Sequence, residues 1–258
     1  TVVPGSLQFS AATYTVGEAG PTASVTVTRT GGSDFLVGAT VTLANGTATA
    51  PADFDATTRT VSFAGGDVAT KTVSIPIVSD ALDEDDETVL LTLGSVTGGA
   101  SLGAQTSATL TITDDDPTPT LSVGDVTQAE GNSGGSPFTF TVTLSAASGR
   151  QVTVQAQTAD NSATAASGEY AATGPTTLTF VPGDTSETFA VQVNGNTTDQ
   201  ADRTFFVNLS SPTNATILDN QGIGTITDDD NQPSFSISGV TVAEGDSGSS
   251  AAQFVVTR

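Results

Sequence analysis

Twenty-eight Asp and Glu stand against six Lys and Arg in this chain of 258 residues, which has no His and no Cys. Carboxylates are therefore its main resource for metal or proton chemistry. They fall in short runs. Asp114, Asp115 and Asp116 form one triplet, and Asp228, Asp229 and Asp230 repeat it 114 residues on. Asp80, Asp83, Glu84, Asp85, Asp86 and Glu87 crowd a third segment. Without imidazole or thiolate, zinc and haem sites, disulfides, Cys nucleophiles and Ser-His-Asp triads are excluded. Hard oxygen donors drawn from separate segments select Ca2+ over transition metals. Mg2+ prefers a tight octahedron with retained waters, so a carboxylate cage suits Ca2+ better. The contiguous Asp-x-Asp-x-Asp-Gly calcium loop is absent. Paired acids could also serve glycoside hydrolysis. With aromatic residues at 5%, mostly Phe in strand phase, no carbohydrate cleft is legible and no catalytic residue is assigned.

The net charge of −22 argues against nucleic acid and against anionic membrane surfaces as partners. No apolar run approaches the ~20 residues needed to cross a bilayer as a helix, so no direct membrane insertion is expected. Only 13% of residues are charged, so this is not the composition of a disordered polyelectrolyte. Val and Thr dominate and Gly reaches 27, which suits pleated strands joined by turns. An all-β fold follows. The opening Thr1-Val2-Val3-Pro4, without Met or a signal peptide, reads as a processed chain or an excerpt, and low Lys with abundant Thr and Gly suits an exported protein.

These acids must be positioned by elements that repeat. Besides the Asp triplets, Val16-Gly17-Glu18-Ala19-Gly20 returns as Gln128-Ala129-Glu130-Gly131-Asn132 and as Val242-Ala243-Glu244-Gly245-Asp246. Phe63-Ala64-Gly65-Gly66-Asp67 returns as Phe180-Val181-Pro182-Gly183-Asp184. The reading is two complete domains, 1–116 and 117–230, and the first two strands of a partial third repeat, 231–258. In the first domain, period-two alternation predicts seven strands at 7–16, 24–30, 39–43, 59–63, 70–78, 88–93 and 108–113. The second repeats the plan at 138–144, 152–158, 177–181, 187–193, 204–209 and 224–227 after its own first strand. The expected architecture is tandem immunoglobulin-like seven-stranded antiparallel β-sandwiches.

Strand order turns sequence position into charge geometry. If consecutive strands run antiparallel, alternate loops share a pole. Glu18, Asp53, Asp55, the six acids from Asp80 to Glu87, and the 114–116 triplet then gather at one pole of the first domain. That is twelve carboxylates, against Asp34 and Asp67 at the other. At an effective dielectric of 20, two like charges 4 Å apart repel by roughly 4 kcal/mol, too much for a marginally stable domain to carry several times over. Either the carboxylates splay into solvent, as charge runs commonly do, or a cation sits among them. Their convergence favours the cation.

The glutamate after the first strand, the Asp53-Phe54 pair, the Asp80-x-x-x-Glu84-x-x-Glu87 segment and the closing Thr-Asp-Asp-Asp together resemble the Calx-beta domain. That family is the calcium-binding sandwich of sodium–calcium exchangers, also found in matrix proteins, integrin β4 and bacterial surface proteins. The resemblance implies calcium ligands at Glu18, Asp53, Asp80, Glu84, Glu87, Asp114, Asp115 and Asp116, with the main-chain carbonyl near Leu82. Ser79 stands where exchanger domains can carry another Asp. Asp83, Asp85 and Asp86 are expected to face solvent, and Asp55 is unassigned.

By the same resemblance the second domain would offer Glu130, Glu169, Asp228, Asp229 and Asp230. There Glu169-Tyr170 replaces Asp53-Phe54, and Asn196, Gln200 and Arg203 stand where the first domain has Asp80, Glu84 and Glu87. An Arg at a ligand position should exclude a cation and pair with Glu169, Glu130 or the 228–230 run, or else face outward. The first domain is thus expected to bind calcium well and the second weakly or not at all. Calcium beside the Pro-stiffened link 116–120 would fix the direction in which the chain leaves the domain. The expected whole is a stiff spacer or adhesion stalk of an exported bacterial surface or matrix protein. Its partners would be calcium ions, neighbouring repeats and other copies joined head to tail into filaments. The alternatives are a regulatory calcium sensor, or an adhesin using loops of the non-acidic pole.

Overall fold

The computed structural model describes residues 1–258 and contains no helix; none is therefore long and apolar enough to cross a membrane. The chain divides into two compact units. The first is Thr1–Pro119 with Ala146–Gln151 and Val181–Asp184; the second is Thr120–Ser145, Val152–Phe180 and Thr185–Arg258.

The first unit runs β1 (Ser6–Phe9), β2 (Thr13–Gly17), β3 (Thr22–Thr30), β4 (Val37–Asn45), β5 (Arg59–Phe63), β6 (Lys71–Pro76), β7 (Glu87–Thr97), β8 (Ser101–Leu102) and β9 (Ser107–Thr113). Two sheets, ordered β6-β3-β1-β8 and β2-β9-β7-β4-β5, enclose the core. Alternation does the sorting. Ala23, Val25 and Val27 of β3 and Val89, Leu91 and Leu93 of β7 point inward, while the residues between them face out. Phe9, Phe54 and Phe63 are fully buried, each contributing ~1.5–3 kcal/mol through removal from water.

The second unit repeats this plan as β10 (Thr120–Val123), β11 (Val126–Ala129), β12 (Gly135–Leu144), β13 (Val152–Asp160), β14 (Thr176–Phe180), β15 (Ser186–Asn194), β16 (Arg203–Thr213), β17 (Thr216–Asp219) and β18 (Gln221–Thr227). Its sheets are ordered β15-β12-β10-β17 and β11-β18-β16-β13-β14. Phe138, Phe140, Phe180 and Phe205 form the centre of a separate core.

The all-β tandem sandwich is therefore as the sequence indicates, with three differences in detail. The expected strand 7–16 is divided: β1 pairs with β3 in one sheet, and β2 pairs with β9 in the other. The inward positions change parity, from Leu7 and Phe9 to Tyr14 and Val16, so a single strand could not bury both sets. The β2–β9 and β1–β8 pairings are parallel, where a wholly antiparallel sandwich was expected. Beyond residue 230, the strands expected at 234–242 and 252–257 shrink to β19 (Ser236–Ile237) and β20 (Val256–Thr257). Every side chain of this pair is exposed, and two strands with no face to bury have little to extend them.

Candidate metal centre

The switch of sheet between β1 and β2 carries β2 alongside β9, so that both end together. Glu18, the residue after β2, donates its backbone N–H to Thr113 O at 2.9 Å. This sets Glu18 beside Asp114 and Asp116, and ligand oxygens of the three lie within 4.8 Å of one another. Glu18 is only 7% exposed.

The loop between β4 and β5 is anchored by an aromatic ring. Phe54 is sealed in the core and bridges Ile77 antiparallel. Val78 N–H donates to Asp53 O at 2.9 Å, so Asp53 is held at the mouth of the core. One of its oxygens, Oδ2, accepts the Thr49 N–H at 2.6 Å. The segment before β7 closes the site from the other side. Asp80 N–H donates to Glu18 Oε1 at 2.7 Å, and Asp80 Oδ1 accepts the Leu82 N–H at 2.8 Å. Asp86 Oδ1 accepts the Asp114 N–H at 3.2 Å.

The outcome is one cavity lined by Glu18, Asp53, Glu84, Asp85, Glu87 and Asp114, with Val78 and Ile112 as apolar wall. No Lys or Arg lines it. Burial, followed by the charge of Asp53 and its hydrogen bond, pushes Glu87 up to about 7. Burial likewise raises Glu84, with Asp80 and Asp53 adding to the effect. Glu18 and Asp116 move the same way, chiefly through desolvation, with neighbouring carboxylates adding to it and, at Glu18, the Asp80 N–H opposing it. Asp114 Oδ1 is buried and accepts no hydrogen bond. Crowded carboxylates, partly desolvated and with no Lys or Arg in the cavity wall, are a donor set that fits Ca2+.

Not every expected ligand enters the cavity. Asp115 is exposed, beside Asp116 but outside the close triad. Asp80 and Leu82 meet the site through the turn just described. Asp55 turns away into an ion pair with Arg59 at 2.8 Å. Asp83, expected to face solvent, is instead 3% exposed. Its carboxylate accepts Arg150 Nη2 at 2.6 Å within the first compact unit, and Arg150 also reaches Asp85 at 3.2 Å. A guanidinium on two oxygens offsets the desolvation that would otherwise expel a buried Asp. Asp85 is exposed but still lines the cavity, and Asp86 is a backbone latch. The latch was detectable, since Asp202 stands equally just before β16 and accepts the Asp228 N–H at 3.0 Å.

The second unit builds the same frame. Glu130 N–H donates to Thr227 O at 3.1 Å, and ligand oxygens of Glu130, Asp228 and Asp230 lie within 4.8 Å. Tyr170, buried and stacked on Phe205 with ring centroids 4.6 Å apart, anchors Glu169 as Phe54 anchors Asp53. Glu169 Oε2 accepts the Thr164 N–H at 2.7 Å. Asp229 is exposed and accepts the Gly131 N–H at 3.1 Å. The cavity here is lined by Glu130, Glu169, Gln200, Ala201, Arg203, Ile226 and Asp228, and Arg203 forms an ion pair with Glu169.

Among curated proteins none matches the chain. Solved structures similar to it include CBD12 from CALX1.2, with 26% identity over 80% of each chain and a TM-score of 0.42. The calcium binding domain CBD12 of CALX1.1 has 24% identity over 80% of each chain, also at a TM-score of 0.42. The apo-form Calx CBD1 domain has 28% identity over 45% of this chain and all of its own, with a TM-score of 0.41. The sequence model of the Calx-beta domain matches twice, over residues 3–116 and 125–231. The chain belongs to the Calx-beta domain family, whose domains bind calcium, and carries that domain in tandem.

Proposed function

We propose that the acidic pole of the first unit is a calcium site. The observation that carries this is a single cavity holding Glu18, Asp53, Glu84, Glu87 and Asp114, drawn from four separate segments, with no basic side chain among them. Asp116, with a ligand oxygen within 4.8 Å of those of Glu18 and Asp114, supports a fuller shell, and we assign ligand roles also to Asp80, Asp115 and the carbonyl near Leu82. A divalent ion there would relieve repulsion that otherwise opposes closure of three loops.

Its effect on the chain follows from Asp114 and Asp116. These belong to the segment leaving β9, just before Pro117, so a bound ion would tie the outgoing chain to the loops at Glu18, Asp53 and Glu84. On this reading calcium fixes the exit direction of the chain and makes the repeat a stiff spacer of an exported surface protein. Millimolar calcium outside a cell would keep such a site filled, since extracellular modules bind at ~10⁻⁴–10⁻³ M. The family itself favours a second reading, a regulatory calcium domain. No catalytic role is proposed.

Calorimetric calcium titration of the whole chain, with scattering before and after chelation, tests both. Dissociation constants near 10⁻⁴ M or weaker support the spacer, and micromolar binding with a large change in hydrodynamic radius supports the regulator. A chelator that leaves melting temperature and radius unchanged would defeat the calcium site itself.

A further inference from the structure

The second unit keeps the frame of the first but changes what each position offers. Asn196 Oδ1 accepts the Thr198 N–H at 2.7 Å, reproducing the turn that Asp80 makes with Leu82. Its other arm is now a donor: Asn196 Nδ2 reaches Glu130 Oε1 at 2.9 Å. Gln200 Nε2 donates to the same oxygen at 2.8 Å, and the Gln200 N–H donates to Asp228 Oδ2 at 3.1 Å. Close approach of the two loops makes these bonds possible. A Cβ added at Gly195 would lie 2.1 Å from Gly131 O, so only Gly lets the backbones meet there.

Arg203 completes the substitution. Glu169 uses Oε2 for the Thr164 N–H and offers Oε1 to the guanidinium. In the first unit Asp53 uses Oδ2 for Thr49, and its neighbour is the carboxyl of Glu87. Three acceptors of the first unit are thus replaced by two amide donors and a fixed positive charge. A cation entering here would have to displace donors already seated on Glu130 and would face a guanidinium of its own sign. Asp228 Oδ1 and Asp230 Oδ2 remain buried without donors, yet the Glu130 they would share with an ion is already engaged twice.

We infer that the second unit's pole is closed by its own side chains, with Arg203, Asn196 and Gln200 in the role the first unit leaves to calcium, and that it takes up no calcium. The contrast rests on reading the first unit's pole as a calcium site. The bonds of the second unit can be tested without it.

The test is peptide-resolved hydrogen exchange on the full chain, in calcium and in chelator. In the unaltered chain, calcium should slow exchange in 79–87 and leave 195–203 unchanged. Arg203→Gln, in chelator, should speed exchange in 195–203 about five- to tenfold, because it removes the charge from a partly exposed pair. Asn196→Asp combined with Gln200→Glu and Arg203→Glu should make 195–203 calcium-responsive. Protection of 195–203 by calcium in the unaltered chain overturns the inference, as does an Arg203→Gln variant that exchanges no faster. Should the triple variant fail to fold, those two measurements still decide. If 79–87 ignores calcium, the first unit's site is wrong, while the Arg203→Gln result in chelator still judges the second.

Discussion

Glu87 and Arg203 open the same strand in the two repeats, β7 and β16, and each turns towards the acid beside the buried ring of the preceding loop. Glu87 meets Asp53 next to Phe54, and Arg203 meets Glu169 next to Tyr170. One repeat sets an acid against an acid and the other a base against an acid, on equivalent backbone. Exchanging this one residue should therefore exchange the behaviour. Glu87→Arg is expected to raise the calcium-free melting temperature of the first unit and to remove most of its calcium-induced rise. For an ion at 100 times its dissociation constant, that loss is about 2.7 kcal/mol. Melting curves with and without chelator check it, and an undiminished calcium shift in Glu87→Arg would count against Glu87 as a ligand.

Protons should compete with calcium at this pole. Glu87 sits at about 7 in the folded chain against an ordinary value of 4.5, so the folded state favours its protonated form. The stability it contributes is fully present below about pH 4.5 and is lost as pH rises through about 7. Glu18, Glu84 and Asp116 are raised as well and act in the same direction. Asp55, lowered to about 2 by Thr57 and Arg59, acts oppositely: its contribution is fully present above the ordinary 3.8 and is lost as pH falls through about 2. In chelator the melting temperature of the first unit should consequently fall between pH 5 and pH 8, while the calcium-induced rise grows over the same interval. Differential scanning calorimetry across that range decides it. A calcium shift independent of pH would mean that these carboxyls do not ligate the ion.

What was legible in the sequence was the part enforced by repetition and by alternation. The strands of β3, β7 and β9 and the sharing of one pole by Glu18, Asp53 and Asp114 follow from period two and strand parity. The pairing of Arg203 with Glu169 is one of two expectations raised by an Arg at a position the family resemblance marks as a ligand's. Other features depend on contacts between distant segments. The division of β1 from β2 shows in sequence only as a shift of inward parity from Phe9 to Tyr14. The burial of Asp83 could not be read locally, because it depends on Arg150, 67 residues away. Asp115 is the exposed member of three consecutive Asp, as expected where side chains alternate along an extended chain, and the motif alone does not show that difference.

Phe54 has no chemistry of its own, yet it sets the position of Asp53. Phe54→Ala should cost about 3–5 kcal/mol through the cavity it leaves. It should also weaken calcium binding, since the Asp53 loop would lose its anchor in the core. Phe54→Leu, closer in volume, should retain the fold and most of the affinity. Calorimetric titration of both variants tests the link, and unchanged calcium affinity in a folded Phe54→Ala chain would show that Asp53 needs no such support.

Arg29 provides the control at the far end of β3, roughly 25 Å from the start of that strand at ~3.3 Å per residue. Only 3% exposed, it donates to the carbonyls of Pro4, Asp34, Phe35, Ala64 and Asp67, with Asp34 O nearest at 2.6 Å. One guanidinium thereby satisfies backbone oxygens from three separate segments. Arg29→Leu would leave several of them without a donor, at about 1–3 kcal/mol for each that stays buried. Its melting temperature should drop sharply in calcium and in chelator alike, with the difference between the two preserved. Thermal melts in both conditions read this directly. A lost calcium shift in a chain that still folds would mean that the two ends of the first sandwich are coupled, and that the acidic pole does not act as a local site.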